Sequence, residues 1–155
     1  MAREIAIGIQ DFAKIIENHT FYIDKTEFIR EWWNSRDDVT LITRPRRFGK
    51  TLNMSTLECF FSNKYEGRAD LFEGLDVWKD EEFRKLQGTY PVIFLSFAGV
   101  KFADYRDTRV ALNGMIADLY NQYEWMLKDK KFTDADREAF KEVSKKMDDP
   151  TAALS

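Results

Sequence analysis

The chain has 155 residues, of which 44% are hydrophobic, 33% are charged and 15% are aromatic. This composition excludes an intrinsically disordered chain and is typical of one packed domain or of a part of one. The net charge of −3 argues against a generally basic nucleic-acid coat protein, although it leaves room for a local basic patch.

The cysteine and histidine content and the length of the apolar runs exclude further classes of protein. One cysteine, Cys59, and one histidine, His19, exclude an internal disulfide and a Cys/His metal cluster. Residues 1–10 lack the apolar core of a signal peptide, and the longest apolar stretch, residues 92–100, is too short to span a bilayer. We therefore expect a cytoplasmic protein without a membrane segment.

The first 36 residues are expected to be helical. Apolar residues at helical spacing predict a short helix at residues 9–18, with Asp11 as its N-cap. A second helix is predicted at residues 25–34, with Asp24 in the capping position.

A strand, a loop and a helix are predicted next. Residues 39–43 form a β-branched run typical of a buried strand. Residues 44–50 are expected to form a loop, and residues 51–62 a helix. The residues of that helix at core-facing spacing are Leu52, Leu57, Phe60 and Phe61.

Helices and one more strand are predicted in the rest of the chain. Pro91 precedes a second strand-like run at residues 92–97, and proline is tolerated where a strand begins. The helices are predicted at residues 80–86, 104–128 and 134–146, and Thr133 with Asp136 resembles a capping box.

This order of elements predicts an α/β fold, with a helix-rich, incomplete parallel sheet of the P-loop NTPase type flanked by helices. We treat residues 1–155 as the N-terminal portion of one such domain. Residues 1–36 form its helical lead-in, residues 37–100 hold both strands and the loop between the first strand and its helix, and residues 101–155 are helical.

The loop carries the residues with the clearest chemistry. It reads Arg44, Pro45, Arg46, Arg47, Phe48, Gly49, Lys50 and Thr51. Backbone N–H groups and a helix N-terminus can surround a phosphate, and Gly49 allows a tight turn. Lys50 would reach the β- and γ-phosphates, and the Thr51 hydroxyl would bind Mg²⁺. The arginines add positive charge for a polyphosphate.

Two other interpretations of this loop stay open. The arginines could be solvated charges that pair with surface carboxylates, or the loop could bind a nucleic-acid backbone.

The first glycine of the usual G-x-x-x-x-G-K-[ST] pattern is replaced by Arg44.

Three segments together resemble the AAA-ATPase-like proteins of bacteria and archaea. They are residues 21–26 (Phe-Tyr-Ile-Asp-Lys-Thr), residues 43–52 around the arginine-rich loop, and residues 90–97 (Tyr-Pro-Val-Ile-Phe-Leu-Ser-Phe). The family already lacks the first glycine. The resemblance implies ATP and Mg²⁺ as ligands held by Arg44, Arg46, Arg47, Phe48, Gly49, Lys50 and Thr51. It also suggests a role near the nucleotide for Asp24 and Lys25, although a helix N-cap and a surface lysine are the favoured explanation of these two residues.

An ATPase also needs an acidic residue at the end of a second strand. Residues 95–97 are Leu, Ser and Phe, so that acid is missing there. The resemblance places it beyond Ser155, together with a PD-(D/E)XK nuclease-like domain, and we expect the chain to be a fragment. The alternative function is a non-enzymatic module that associates with another copy or with the missing half.

Overall fold

The computed structural model describes residues 8–43, 45 and 48–145. The chain divides into two compact units, Met1–Phe94 and Leu95–Ser155. Six α-helices lie in the described residues, and short 3₁₀ turns connect several of them. The helices are α1 (Phe12–Glu17), α2 (Glu27–Ser35), α3 (Lys50–Phe61), α4 (Glu81–Leu86), α5 (Tyr105–Gln122) and α6 (Asp134–Lys145).

Aromatic side chains form the centre of the first unit. Phe12 of α1, Phe60 of α3 and Phe72 are all fully buried. The Phe12 and Phe72 rings stack with centroids 5.1 Å apart, and Phe60 meets Phe72 edge-on at the same distance. Such ring pairs add to the free energy gained by apolar burial. The contacts fix α1 and α3 against each other around one core.

Backbone hydrogen bonds tie the C-terminal end of α3 to residues 88–90. The Gly88 N–H donates to the Phe60 carbonyl at 2.8 Å, and the Tyr90 N–H donates to the Phe61 carbonyl at 2.8 Å. These two carbonyls belong to the last turn of α3, which has no intrahelical donors for them. The end of α3 is therefore held by a distant part of the chain.

A side-chain clasp joins the start of α2 to the 3₁₀ turn Asp76–Lys79. The Asp24 carboxylate accepts hydrogen bonds from the Thr26 N–H and hydroxyl, each at 2.8 Å, and from the Asp76 N–H at 2.7 Å. The fully buried Thr26 hydroxyl in turn accepts from the Val77 N–H at 3.1 Å. We call Asp24, Thr26, Asp76 and Val77 the clasp.

Replacing Thr26 by valine is expected to lower the free energy of unfolding by about 2 kcal/mol, because the buried Val77 N–H loses its acceptor while the side-chain volume is kept. Thr89→Val is the matched control, since the exposed Thr89 hydroxyl only donates to the nearby Leu86 carbonyl. Urea unfolding followed by tryptophan fluorescence measures both variants. Equal losses in the two variants would contradict a special role for the clasp.

The prediction of a parallel sheet is wrong. Residues 8–43, 45 and 48–145 contain no strand, and the one β-bridge among them is an isolated parallel pair between Ser62 and Tyr90. Val39 is 86% exposed, Leu41 82% and Ile93 65%. β-Branched residues favour strands when neighbouring strands and a packed face surround them. No neighbouring strand pairs with either segment in the part of the chain that the structure describes, so neither forms a strand.

The second unit contains α5 and α6. Asp104 caps α5 by accepting from the Arg106 N–H at 3.0 Å. The capping box of α6 is confirmed, because the Asp136 N–H donates to the Thr133 hydroxyl and the Thr133 N–H donates back to Asp136. The predicted long helix at residues 104–128 ends earlier, at Gln122, and a 3₁₀ turn follows over Glu124–Lys128.

No helix within the described parts of the chain is long and apolar enough to cross a membrane.

Candidate functional site

The basic segment, residues 44–51, ends at the start of α3. Gly49 has φ +74° and ψ +18°, and α3 begins at the next residue, Lys50. The Gly49 carbonyl accepts the first hydrogen bond of the helix from the Asn53 N–H at 2.9 Å. A left-handed conformation is one that glycine adopts at low cost. The predicted change from loop to helix is thus confirmed, one residue earlier than expected.

The candidate binding residues differ in how the fold places them. Phe48 is 61% exposed, and its assignment to the nucleotide site stays a prediction. Lys50 and Thr51 are half-buried in the first turn of α3. Arg44, Arg46 and Arg47 lie outside the described residues, so their assignment stays a prediction.

The middle of α3 is fixed by hydrogen bonds to α1 and to its own backbone. The Ser55 hydroxyl accepts from the Phe12 N–H at 3.0 Å, and the Thr56 hydroxyl donates to the Leu52 carbonyl at 2.8 Å. Tyr22 also packs edge-on against Phe12. Burial, followed by the charge of Asp24, raises the pKa of Tyr22 to about 12. The phenol is therefore neutral, and α3 is anchored to α1 behind the segment at its N-terminus.

A family model identifies the family of proteins in which this basic segment and helix occur. The family model described as "Predicted AAA-ATPase" matches residues 6–154, which is almost the whole chain. The chain belongs to the AAA-ATPase-like family. The resemblance found in the three sequence segments is thereby confirmed at the level of the family.

A longer relative shares this AAA-ATPase-like sequence. The "Uncharacterized protein in vnfD 5'region" of Azotobacter chroococcum mcd 1 is 37% identical over 118 residues. The match covers 76% of this chain and 20% of that protein, so the chain spans about a fifth of its relative's length. No solved structure matches the chain.

Asp24 and Lys25 of the AAA-ATPase-like chain were candidates for a role near the nucleotide. The described hydrogen bonds of the Asp24 carboxylate all lie within the clasp, and Lys25 is exposed. An Asp two residues before a Thr is typical of a turn in which the Asp side chain bonds the backbone ahead of it. That signal was present in the sequence and indicates this turn, but the predicted N-cap at Asp24 is wrong, because α2 begins at Glu27 with Thr26 as its N-cap. No sequence pattern indicated the bond to Asp76.

The described residues of the AAA-ATPase-like chain lack a metal site made only of side chains. Among the described residues, no group of three or more His, Cys, Asp or Glu side chains is placed to hold a metal ion. Thr51 offers one hydroxyl oxygen at the start of α3. This fits a Mg²⁺ ion whose other ligands are nucleotide oxygens and water, which is how Mg²⁺ is commonly held in phosphate sites.

Cys59 is a residue of the core. It is fully buried, and burial raises the pKa of its thiol to about 11. A neutral thiol is a poor nucleophile and a poor metal ligand. Cys59 therefore acts as a small buried apolar residue.

Proposed function

We propose that the basic segment binds the phosphates of ATP together with Mg²⁺. The observation that supports this most directly is the left-handed Gly49 placed immediately before α3, with Lys50 and Thr51 in the first turn. A left-handed glycine, a helix N-terminus, an ammonium group and a hydroxyl thus lie within the three consecutive residues 49–51. Membership of the AAA-ATPase-like family supports ATP as the nucleotide.

The backbone of the first turn supplies the binding groups. The first N–H groups of an α-helix have no acceptor within the helix, and they carry the positive end of its dipole. Gly49 has no side chain that could cap them, so an anion can approach. A Cβ built at Gly49 would meet nothing within 4 Å, so the described residues leave space beside the turn. Phosphate oxygens suit these donors.

Charged side chains would strengthen this binding. Lys50 stabilises the β- and γ-phosphates, and the sequence places Arg44, Arg46 and Arg47 within six residues of it. Hydrogen bonds between charged groups are roughly twice as strong as those between neutral groups. We propose that the arginines add positive charge for the same triphosphate.

Mg²⁺ would be held by the Thr51 hydroxyl and by the nucleotide itself. When bound, the ion neutralises part of the phosphate charge. Hydrolysis of the β–γ bond is expected of a complete domain of this family. Since residues 95–97 offer no acid after the second strand-like run, we propose binding with little turnover for this chain.

Calorimetric titration of Mg·ATP, and of ATP with EDTA, into the purified chain tests the proposal. Replacing Thr51 by alanine is expected to weaken Mg·ATP binding about twofold to tenfold, because one neutral oxygen ligand is lost. Binding of ATP in EDTA should not change, since no metal is then present.

Thr51→Ser is the matched control, because it keeps the hydroxyl and should retain the affinity for Mg·ATP. Absence of saturable Mg·ATP binding by the unmodified chain, with its helical circular dichroism intact, would refute the proposed function. Equal weakening in the presence and absence of Mg²⁺ would refute the role of Thr51 as a metal ligand.

A further inference from the structure

The second unit contains a cavity that the proposed nucleotide function does not use. Its volume is about 270 Å³, and it is lined by the extended residues before α5 and by one side of α5. The apolar residues in its wall are Leu95, Phe97, Tyr105, Leu112, Met115 and Ile116. Cavities lined mainly by apolar side chains with a few polar groups are typical of small-molecule sites.

Three polar side chains, Thr108, Arg109 and Asn113, line the cavity beside these apolar residues. Arg109 and Asn113 both line the cavity, and a separation of four residues places them on one face of α5. Among the described residues, the buried Asn113 Nδ2 atom has no hydrogen-bond acceptor. A buried amide donor without an acceptor costs free energy and is uncommon in folded proteins. An acceptor atom on a bound ligand would therefore satisfy the Asn113 amide.

The hydrogen-bond donors of the lining select the kind of ligand. The residues that line the cavity include the Arg109 guanidinium and no carboxylate. Both Arg109 and the Asn113 amide nitrogen are donors, whereas an ionised carboxylate only accepts. The apolar wall would receive a hydrocarbon or aromatic body and disfavours a highly charged phosphate compound.

We propose that this cavity binds a small apolar carboxylate. Its carboxylate accepts hydrogen bonds from Asn113 and Arg109, and its hydrocarbon part packs against Leu112 and Ile116. Octanoate is a suitable probe because it combines one carboxylate with an unbranched apolar tail.

The test is titration of octanoate into the full chain, followed by calorimetry and by the NMR signals of the asparagine side-chain amides. Saturable binding and a shift of the Asn113 amide signals are expected. Asn113→Leu, which keeps a similar volume, should weaken binding about tenfold, as expected for loss of a hydrogen bond to a charged group. It should also raise the melting temperature without octanoate, because the unsatisfied amide is gone.

Asn121→Leu is the matched control, since Asn121 is exposed on the same helix. Octylammonium has the same tail and the opposite charge, so it should not bind. Absence of saturable octanoate binding, equal weakening by both leucine variants, or equal binding of octylammonium would each overturn the proposal. The result is independent of ATP binding, which uses residues of the first unit.

Discussion

Lys50→Ala is expected to weaken the binding of Mg·ATP about tenfold to a hundredfold, which corresponds to the loss of a hydrogen bond between charged groups. Lys50 is the first residue of α3 and follows the left-handed Gly49, so its ammonium group belongs to the same turn as the proposed phosphate-binding N–H groups. Alanine has the highest helix propensity, so the variant should keep α3 intact. Calorimetry measures the change in affinity.

Lys14→Ala is the matched control for this experiment. Lys14 lies on α1, is largely exposed and pairs with Asp11 at 3.6 Å. A surface pair of this kind contributes little to stability, and Lys14 is not part of the basic segment. If both lysine variants lose affinity equally, general attraction between ATP and positive charge explains the binding. If Lys50→Ala binds as tightly as the unmodified chain, the phosphates are held elsewhere.

Gly88→Ala is expected to give the largest loss of stability, about 3 kcal/mol, from overpacking and from strain in a left-handed backbone. Gly88 has φ +70°, and an added Cβ would lie 2.7 Å from the Glu66 Cα and 3.0 Å from the Glu66 N. These neighbours are backbone atoms, which cannot rotate away as a side chain would. Relief of the clash would pull the Gly88 N–H from the Phe60 carbonyl and loosen the end of α3.

Gly74→Ala separates the two contributions. Gly74 has φ +82°, but a Cβ there would meet nothing within 4 Å. Only the backbone strain remains, and we expect a loss of about 1 kcal/mol. Chemical denaturation followed by circular dichroism compares the two variants. Losses of the same size would show that residue 88 has room for a methyl group and would contradict the close approach to Glu66.

Helices were predictable because their determinants are local. The spacing of Phe60 and Phe61 placed them on the core-facing side of α3, and both are buried. Asp11 accepts from the Lys14 N–H at 3.3 Å, as its capping position suggested. A helix satisfies its hydrogen bonds within one segment, so a short stretch of sequence contains the necessary information.

The predicted strands failed because a strand depends on distant partners. Val39 and Ile93 have the residue types of a buried strand, yet their burial requires neighbours that no local pattern specifies. Dependence on distant partners also explains why the hydrogen bond from the Asp76 N–H to Asp24 was not predicted. The hydrogen bond of Asp24 with Thr26 could be predicted from the local sequence, but its bond with Asp76 joins residues 52 positions apart. The assignment of the basic segment to phosphate binding stays a prediction that calorimetry can decide.

The clasp also has a consequence for folding during synthesis. Asp24 and Thr26 meet partners 52 and 51 residues later in the chain, and the Phe12 N–H meets Ser55 across 43 residues. Ribosomes add about 5–20 residues per second, so roughly 3–10 s pass between the synthesis of Asp24 and that of Asp76. The helices before the basic segment cannot reach their final packing in that interval. The nascent first unit should therefore expose its aromatic residues to chaperones until the turn at Asp76–Lys79 has left the ribosome.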